Sequence, residues 1–433
     1  MKNQITLAVA LIILSMSGYQ VFGNTSVLLA GTAKANITPK EGIIHDSLYI
    51  RTVILDVDEA RIAVISVDMI SFFSQYVKDV AREQYNISHV LFCPSHTHTG
   101  ARGLRDPDAY RSMVEKKMIG LLDEATRNLF PATISAGHRA FPQLTYNRLI
   151  MREDGHKLGM WNGDEHFAAL NPERIPYGPV DPEVGVIKIE DMHGETRAVI
   201  MNYACHTDIV ANSFEASADY PGVASMEVEK AFEKSVCLFV QGAAGNIAPL
   251  FISPRRRHAE DSLKADFTQP VKMGKLLSYQ VIDLARSLKS DAEEVSMKVM
   301  TDNLSFTGRF DKTIEFDVHI TTLLINDNIA IATFPGEPFI EFQFDWKKRA
   351  DVDHPFLFGY VMTGGMFPGY VPDIRSAAQG GYGADTKPNG IEVGAGETIM
   401  NKHVENFYNL NGLMRTEPGP REAFEDQWKY LRD

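Results

Sequence analysis

Four separate segments of this chain share one design: an apolar, β-forming run that ends abruptly in polar, small or imidazole-bearing residues. The run 87–92 leads into Cys93-Pro94-Ser95-His96-Thr97-His98-Thr99-Gly100. A strand predicted over 196–203 closes on Asn202-Tyr203-Ala204-Cys205-His206-Thr207-Asp208. The run 236–240 closes on Gln241-Gly242-Ala243-Ala244-Gly245-Asn246, and 329–333 closes on Phe334-Pro335-Gly336-Glu337-Pro338. Continuous apolar runs of this length suit strands covered on both faces. In open α/β sheets, ligands collect beyond the carboxyl ends of such strands. If these ends lie side by side, they bring imidazoles and a carboxylate to one rim, a donor set that suits a catalytic Zn²⁺.

The first segment carries the sharpest signal. While the backbone stays extended, residues two apart project to the same face, so His96 and His98 can serve one site. The pair can supply two ligands, or one ligand with a catalytic neighbour. Two solvated loop histidines are the other reading of so short a pattern. Taken singly, His206 serves equally well as a satisfied core histidine, and Glu337 as a helix first-turn acid. Asp68, ending the run 64–67, either orients a ligand histidine or caps a strand. The joint occurrence at strand ends favours a site.

Strands are predicted at 50–56, 61–67, 88–93, 131–137, 184–189, 196–203, 236–241, 317–326, 328–334 and 356–362. Helical periodicity is clearest at 108–128, where Tyr110, Met113, Val114, Met118, Leu121 and Leu122 follow 3-and-4 spacing behind Pro107. Further helices are predicted at 74–86, 222–234 and 270–288. The alternation argues an α/β fold: a mixed β-sheet domain with flanking helices and the active site at strand carboxyl ends. The stretch 364–395 is rich in Gly, Pro and Tyr without periodicity, and is long for a loop that does nothing.

At 433 residues, 44% hydrophobic and 23% charged, the chain has an ordinary globular composition. Its start, Met-Lys-Asn-Gln before the apolar stretch 5–14, reads as a signal peptide over 1–23, cut after Gly23. Residues 24–433 are then expected to form a single exported domain with no transmembrane segment. Cutting there removes Lys2 and no acid, which takes the formal net charge from −13 to −14. That balance disfavours nucleic acid as a partner, and the one basic block, 255–258, is short. The three cysteines, Cys93, Cys205 and Cys237, lie in apolar runs and read as buried thiols; an odd number cannot all pair within the chain.

The order of these motifs resembles the neutral/alkaline non-lysosomal ceramidase family, specifically its N-terminal catalytic domain. The likeness runs from Gly31-Thr-Ala-Lys-Ala-Asn-Ile-Thr-Pro39 to about Met400. It is carried by Ser95-His96-Thr97-His98-Thr99-Gly100, His206, Ser217-Ala-Asp-Tyr220, Gly245-Asn246-x-x-Pro249, Pro335-Gly336-Glu337 and the tyrosine-rich stretch. The resemblance implies a zinc ion held by His96, His206, Glu337 and Tyr370. It implies His98, Arg148 and Tyr382 as catalytic groups around the substrate carbonyl, and an amide (N-acyl) bond of a small or lipid-like substrate, as in sphingolipid metabolism. Two departures stand out. The family's serine two residues beyond Gly-Asn is here Ala248, which removes an acyl-serine route and puts ceramide itself in doubt. The family's C-terminal immunoglobulin-like domain is not expected. The alternatives are the same metal site acting on an ester, lactone or glycan-derived substrate, and a binding protein that kept the scaffold without catalysis.

Overall fold

The computed structural model describes residues 26–414, apart from 59, 102–103, 142–143, 152–154, 156, 160–177, 212, 252–264, 290–293 and 386–389. The expected signal peptide at 1–23 and the basic block at 255–258 lie outside the described residues. The apolar runs form strands of two sheets. The larger contains β1 (Leu28–Asn36), β2 (Tyr49–Val57), β3 (Ala60–Val67), β4 (His89–Pro94), β5 (Phe130–Ala140), β6 (Glu183–Asp191), β7 (Thr196–Tyr203) and β8 (Val236–Gln241), in the order β8-β7-β6-β5-β1-β2-β3-β4. The smaller contains β9 (Met297–Thr307), β10 (Glu315–Ile325), β11 (Ile329–Phe334) and β12 (His354–Gly359), in sequence order.

Period-2 alternation sends each strand's side chains into two different cores. Val64 of β3, Leu91 of β4, Ile200 of β7, Leu238 of β8, Ile331 of β11 and Phe358 of β12 meet in one apolar layer between the sheets. The opposite faces are covered by helices. Helices α1 (Gln75–Tyr85) and α2 (Pro107–Arg127) pack with Ile65 and Phe92. Helices α3 (Asp219–Ala231) and α4 (Thr268–Ser287) pack with Met201 and Phe239. On the smaller sheet, α5 (Ile340–Arg349) and α7 (Ala395–Leu410) pack with Phe334 and Leu357. The result is four layers, helix-sheet-sheet-helix, an α/β architecture as the pattern predicts.

Within these two sheets most neighbours are antiparallel, but three pairs are parallel: β3 with β4, β7 with β8, and β11 with β12. Each is bridged by a crossover helix, α1, α3 and α5 respectively, and the strand ends of these units build the site. Helix starts follow local chemistry. Ser74 accepts from Val77 N at 3.2 Å, and Asp106 accepts from Ala109 N at 2.8 Å ahead of Pro107.

Several expectations shift. Strand β1 and strand β9 were not read from the pattern, because Gly31, Ala33, Lys34 and Asn36, like Asp302, Asn303 and Ser305, lack β character. The predicted strand 356–362 stops at Gly359, where Tyr360 turns to φ 63°. The stretch 364–395 is not one irregular loop. It contains a two-residue strand, Tyr370–Val371, and a short helix α6 (Ile374–Gln379). All three cysteines are free and buried. No described helix is long and apolar enough to cross a membrane, and beyond Leu410 the described residues add no further helix or strand.

His403 on α7 ties helix to sheet. Its Nε2 donates to Thr333 O at 2.8 Å, and its Nδ1 accepts from Thr322 Oγ1 at 2.8 Å, so the ring is neutral in the folded chain. Burial lowers its pKa from 6.5 to about 4. A depressed folded pKa contributes stability that is complete above about 6.5 and is lost as pH falls through about 4, on the order of 3 kcal/mol for a shift of this size. Urea midpoints measured from pH 7 to pH 4 are expected to fall, and His403→Gln is expected to fall less steeply across the same window.

Candidate metal centre

Strand β4 ends at Pro94, and the chain turns sharply at His96, whose φ is 61°. Backbone bonds Ser95 N→Val67 O (2.9 Å) and His96 N→Met69 O (3.0 Å) fix that turn against the end of β3. The His96 Nδ1 donates to Ile70 O at 2.7 Å, so the Nε2 lone pair faces inward. His206, three residues past β7, repeats the device: Nδ1 donates to Ala244 O at 3.0 Å, and Nε2 faces the same point. Carbonyl acceptors of this kind fix tautomer and ring angle in metal-ligating histidines.

Glu337 arrives from β11 through Gly336. Its segment pairs in parallel with Tyr370–Val371, Glu337 opposite Tyr370. The glycine is required twice over. Its φ is 79°, and a Cβ there would lie 2.6 Å from Gly369 O. The pairing sets phenol beside carboxylate. Glu337 Oε2 lies 3.6 Å from His96 Nε2 and 3.5 Å from His206 Nε2, and the Tyr370 hydroxyl lies 3.5 Å from His206 Nε2. A tetrahedral ion with bonds of about 2.0–2.2 Å holds its donors roughly 3.3–3.6 Å apart. These distances match that spacing.

The electrostatics agree. Burial pushes the Glu337 carboxyl up to about 7, and its Oε2 is buried without accepting a hydrogen bond from any described residue. Burial pushes His96 down to about 4. Burial, then Arg148 and the neighbouring imidazoles, hold His206 well below its ordinary value. Neutral imidazoles and a carboxylate oxygen lacking a donor are the state a cation would complete. His98 is the least buried of the three imidazoles. Its Nε2 is 3.3 Å from His96 Nε2, and the three histidines form a cluster that could hold a metal ion by themselves.

Arg148, beyond the short strand Thr145–Asn147, is fully buried. Its Nη2 donates to Gly245 O at 2.5 Å and to the Tyr370 hydroxyl at 2.9 Å. Burial opposes its charge, but Tyr370, Asp208 and Tyr360 more than offset this, and it stays cationic. Tyr382 is half-buried, packed edge-on to Tyr370 at 5.5 Å with the Arg148 guanidinium 5.2 Å from its ring centre. All seven residues singled out in the sequence therefore lie in one cluster. Ala248 is buried nearby, paired with Tyr146, with no hydroxyl to offer. Asp68 does not reach the histidines; it accepts from Tyr49 N at 2.9 Å and faces Arg51.

Sequence reasoning missed Tyr360. Its ring centre is 4.6 Å from that of His96, and its hydroxyl is 3.3 Å from His206 Nδ1. The available signal was position: it directly follows a fifth apolar strand, β12.

No protein-family model matches the chain, and no curated protein matches it in sequence. Solved structures do. A ceramidase complexed with C2 is 14% identical, covering 91% of this chain and 77% of that chain, with a TM-score of 0.68. Neutral ceramidase from Pseudomonas aeruginosa is 14% identical, covering 91% of this chain and 76% of that chain, with a TM-score of 0.67. This chain has a ceramidase-like fold.

Gly245 packs against the backbone that carries Glu337. A Cβ there would lie 2.4 Å from Glu337 O and 2.9 Å from Pro338 O. Gly245→Ala is expected to destabilise the chain by about 1–3 kcal/mol, read in urea unfolding, because neither backbone atom can yield without moving Glu337.

Proposed function

We propose that this chain is an exported, zinc-dependent hydrolase that cleaves an amide bond of an N-acyl, lipid-like substrate, with 24–433 forming one catalytic domain. The reading rests on a single observation: Glu337 lies 3.6 Å from His96 Nε2 and 3.5 Å from His206 Nε2, and the Tyr370 hydroxyl lies 3.5 Å from His206 Nε2, distances that suit donors around one tetrahedral ion. The ceramidase-like fold supports the same substrate chemistry.

The chain's own residues would divide the work as follows. His96, His206, Glu337 and Tyr370 hold the ion. When bound, zinc supplies Lewis acidity, lowering the pKa of water toward about 7 and polarising a carbonyl. His98, the imidazole nearest solvent, faces the incoming carbonyl and donates to the oxyanion as it forms. Tyr382 stands at the same mouth. Burial holds the Tyr370 phenol well above its ordinary pKa, and the buried Arg148 charge against its oxygen offsets part of that, easing its use as a ligand. A preorganised donor to a developing oxyanion contributes about 3–4 kcal/mol. Ala248 leaves no serine nucleophile at its place, so the attack falls to water.

The geometry leaves one competitor inside the site. His98 lies close enough to serve as a third imidazole ligand instead of an oxyanion donor. Elemental analysis separates the two. His96→Ala is expected to lose stoichiometric zinc. His98→Ala is expected to keep it and to lose turnover by about 10²–10³-fold on short N-acyl amides, the cost of one oxyanion donor. A His98→Ala protein without metal would favour the three-histidine set. A His96→Ala protein that retains full metal would overturn the assignment.

A further inference from the structure

Tyr360 is a buried tyrosine with φ 63°, a region that L side chains other than Asn and Asp seldom occupy. Such a residue persists only where its surroundings over-determine it. Here they do. Tyr360 N donates to Gly336 O at 3.0 Å, next to Glu337. Two residues on, Phe92 N→Met362 O (3.2 Å) and Met362 N→Phe92 O (3.1 Å) form a bridge between β4 and the segment leaving β12. The bridge clamps the two sheets together at the site and sets the Tyr360 side chain against the imidazoles. Its ring lies against His96, and its hydroxyl is a second acceptor beside Ala244 O for the His206 Nδ1–H.

We infer that Tyr360 is a positioning residue for both imidazole ligands: its ring fixes the tilt of His96, and its hydroxyl fixes that of His206. Its hydroxyl meets His206 at Nδ1, not at the ligating Nε2, so it acts through the two histidines. The inference rests on the cation-site reading given under the proposed function. Outer partners of ligating histidines typically govern metal affinity by ten- to a hundredfold.

The test is Co²⁺ titration of the full chain after chelation, with a competing chelator, reading affinity and the visible d–d absorption band. Tyr360→Phe keeps the ring and removes the hydroxyl; Tyr360→Gly removes both while accepting the positive φ. Tyr360→Phe is expected to bind about tenfold more weakly with a shifted band. Tyr360→Gly is expected to bind up to a hundredfold more weakly, with unchanged far-UV dichroism. Wild-type affinity and band in Tyr360→Phe overturn the inference, including the case in which Tyr360→Gly weakens only by unfolding. His96→Ala is the control. If it loses Co²⁺ while both Tyr360 variants bind as wild type, positioning alone fails. If the unsubstituted chain takes up no Co²⁺, the cation-site reading fails and this inference with it.

Discussion

Everything in the site depends on a buried hydrogen-bond clamp that locks strand ends of two sheets into one arrangement. The Asn202 Nδ2 lies 3.1 Å from each of Val240 O, Gln241 O and Leu357 O, joining β7, β8 and β12. An amide nitrogen carries two hydrogens, so the three carbonyls share two donors. Beside it, Ser95 O accepts from Thr207 Oγ1 at 2.7 Å and from Gln241 Nε2 at 3.2 Å, which ties the exit of β4 to those of β7 and β8. Apolar packing between the sheets would tolerate some sliding. Polar groups at the end of that layer do not, because each broken bond leaves a desolvated donor or acceptor. The network therefore supplies the register that the hydrophobic layer lacks.

The clamp also bears on the backbone strain beside the site. His96, Tyr360 and Asp219 all adopt positive φ, at 61°, 63° and 53°. Each follows or faces a strand end that the network has fixed, so the chain has to turn within one residue to bring a side chain round. Asp219 stabilises its own turn: its carboxylate accepts from Val210 N at 3.2 Å and from Tyr220 N at 2.6 Å, which shapes the segment following His206. Burial nonetheless pushes that carboxyl up to about 7. At His96 and Tyr360, strained backbone stands directly beside groups whose ionisation burial disfavours.

Much of this was legible in the sequence, and the reasons differ by element. Strands β7 and β8 were placed to the residue because both faces are buried and the apolar run ends sharply at polar residues. The start of α3 was placed three residues late, at 222 instead of Asp219, although Pro221 suits a first turn. Helix α5 was missed although Phe342 and Trp346 lie one turn apart, since its other face is polar and it lasts only ten residues. His96, His206 and Glu337 could be named because a strand end announces them. Tyr370 and Tyr382 rested on family resemblance alone, because glycine-rich sequence carries no periodicity; the pairing of Glu337 with Tyr370 is a tertiary fact. Tyr360 was passed over because its position after a strand does not by itself distinguish a strained tyrosine from a strand-end aromatic.

Two buried carboxylates show why burial or a displaced pKa does not by itself mark a functional group. Asp68 and Glu337 are both raised mainly by desolvation. Asp68 is met by a charge from the protein itself. Arg51 faces it at 3.5 Å and pairs with Glu229 at 2.8 Å, while Tyr49 N satisfies the same Asp68 oxygen. That cluster holds β2 against α3, and its orphaned atom, Arg51 Nη2, is a donor and not an acceptor. Glu337 has an arginine in its neighbourhood too, but Arg148 spends its Nη2 on Gly245 O and the Tyr370 oxygen, and Glu337 Oε2 is left facing two imidazole lone pairs. Three acceptors pointing at one another repel unless something positive stands between them. Neutral imidazoles that already donate their Nδ1 protons to carbonyls have no second proton to offer without becoming charged, which burial resists. The difference between a structural and a functional buried acid lies in whether the protein itself completes the acceptor's coordination. At Asp68 an arginine and a backbone amide do so, and at Glu337 a cation held among the carboxylate and the two imidazoles would do so.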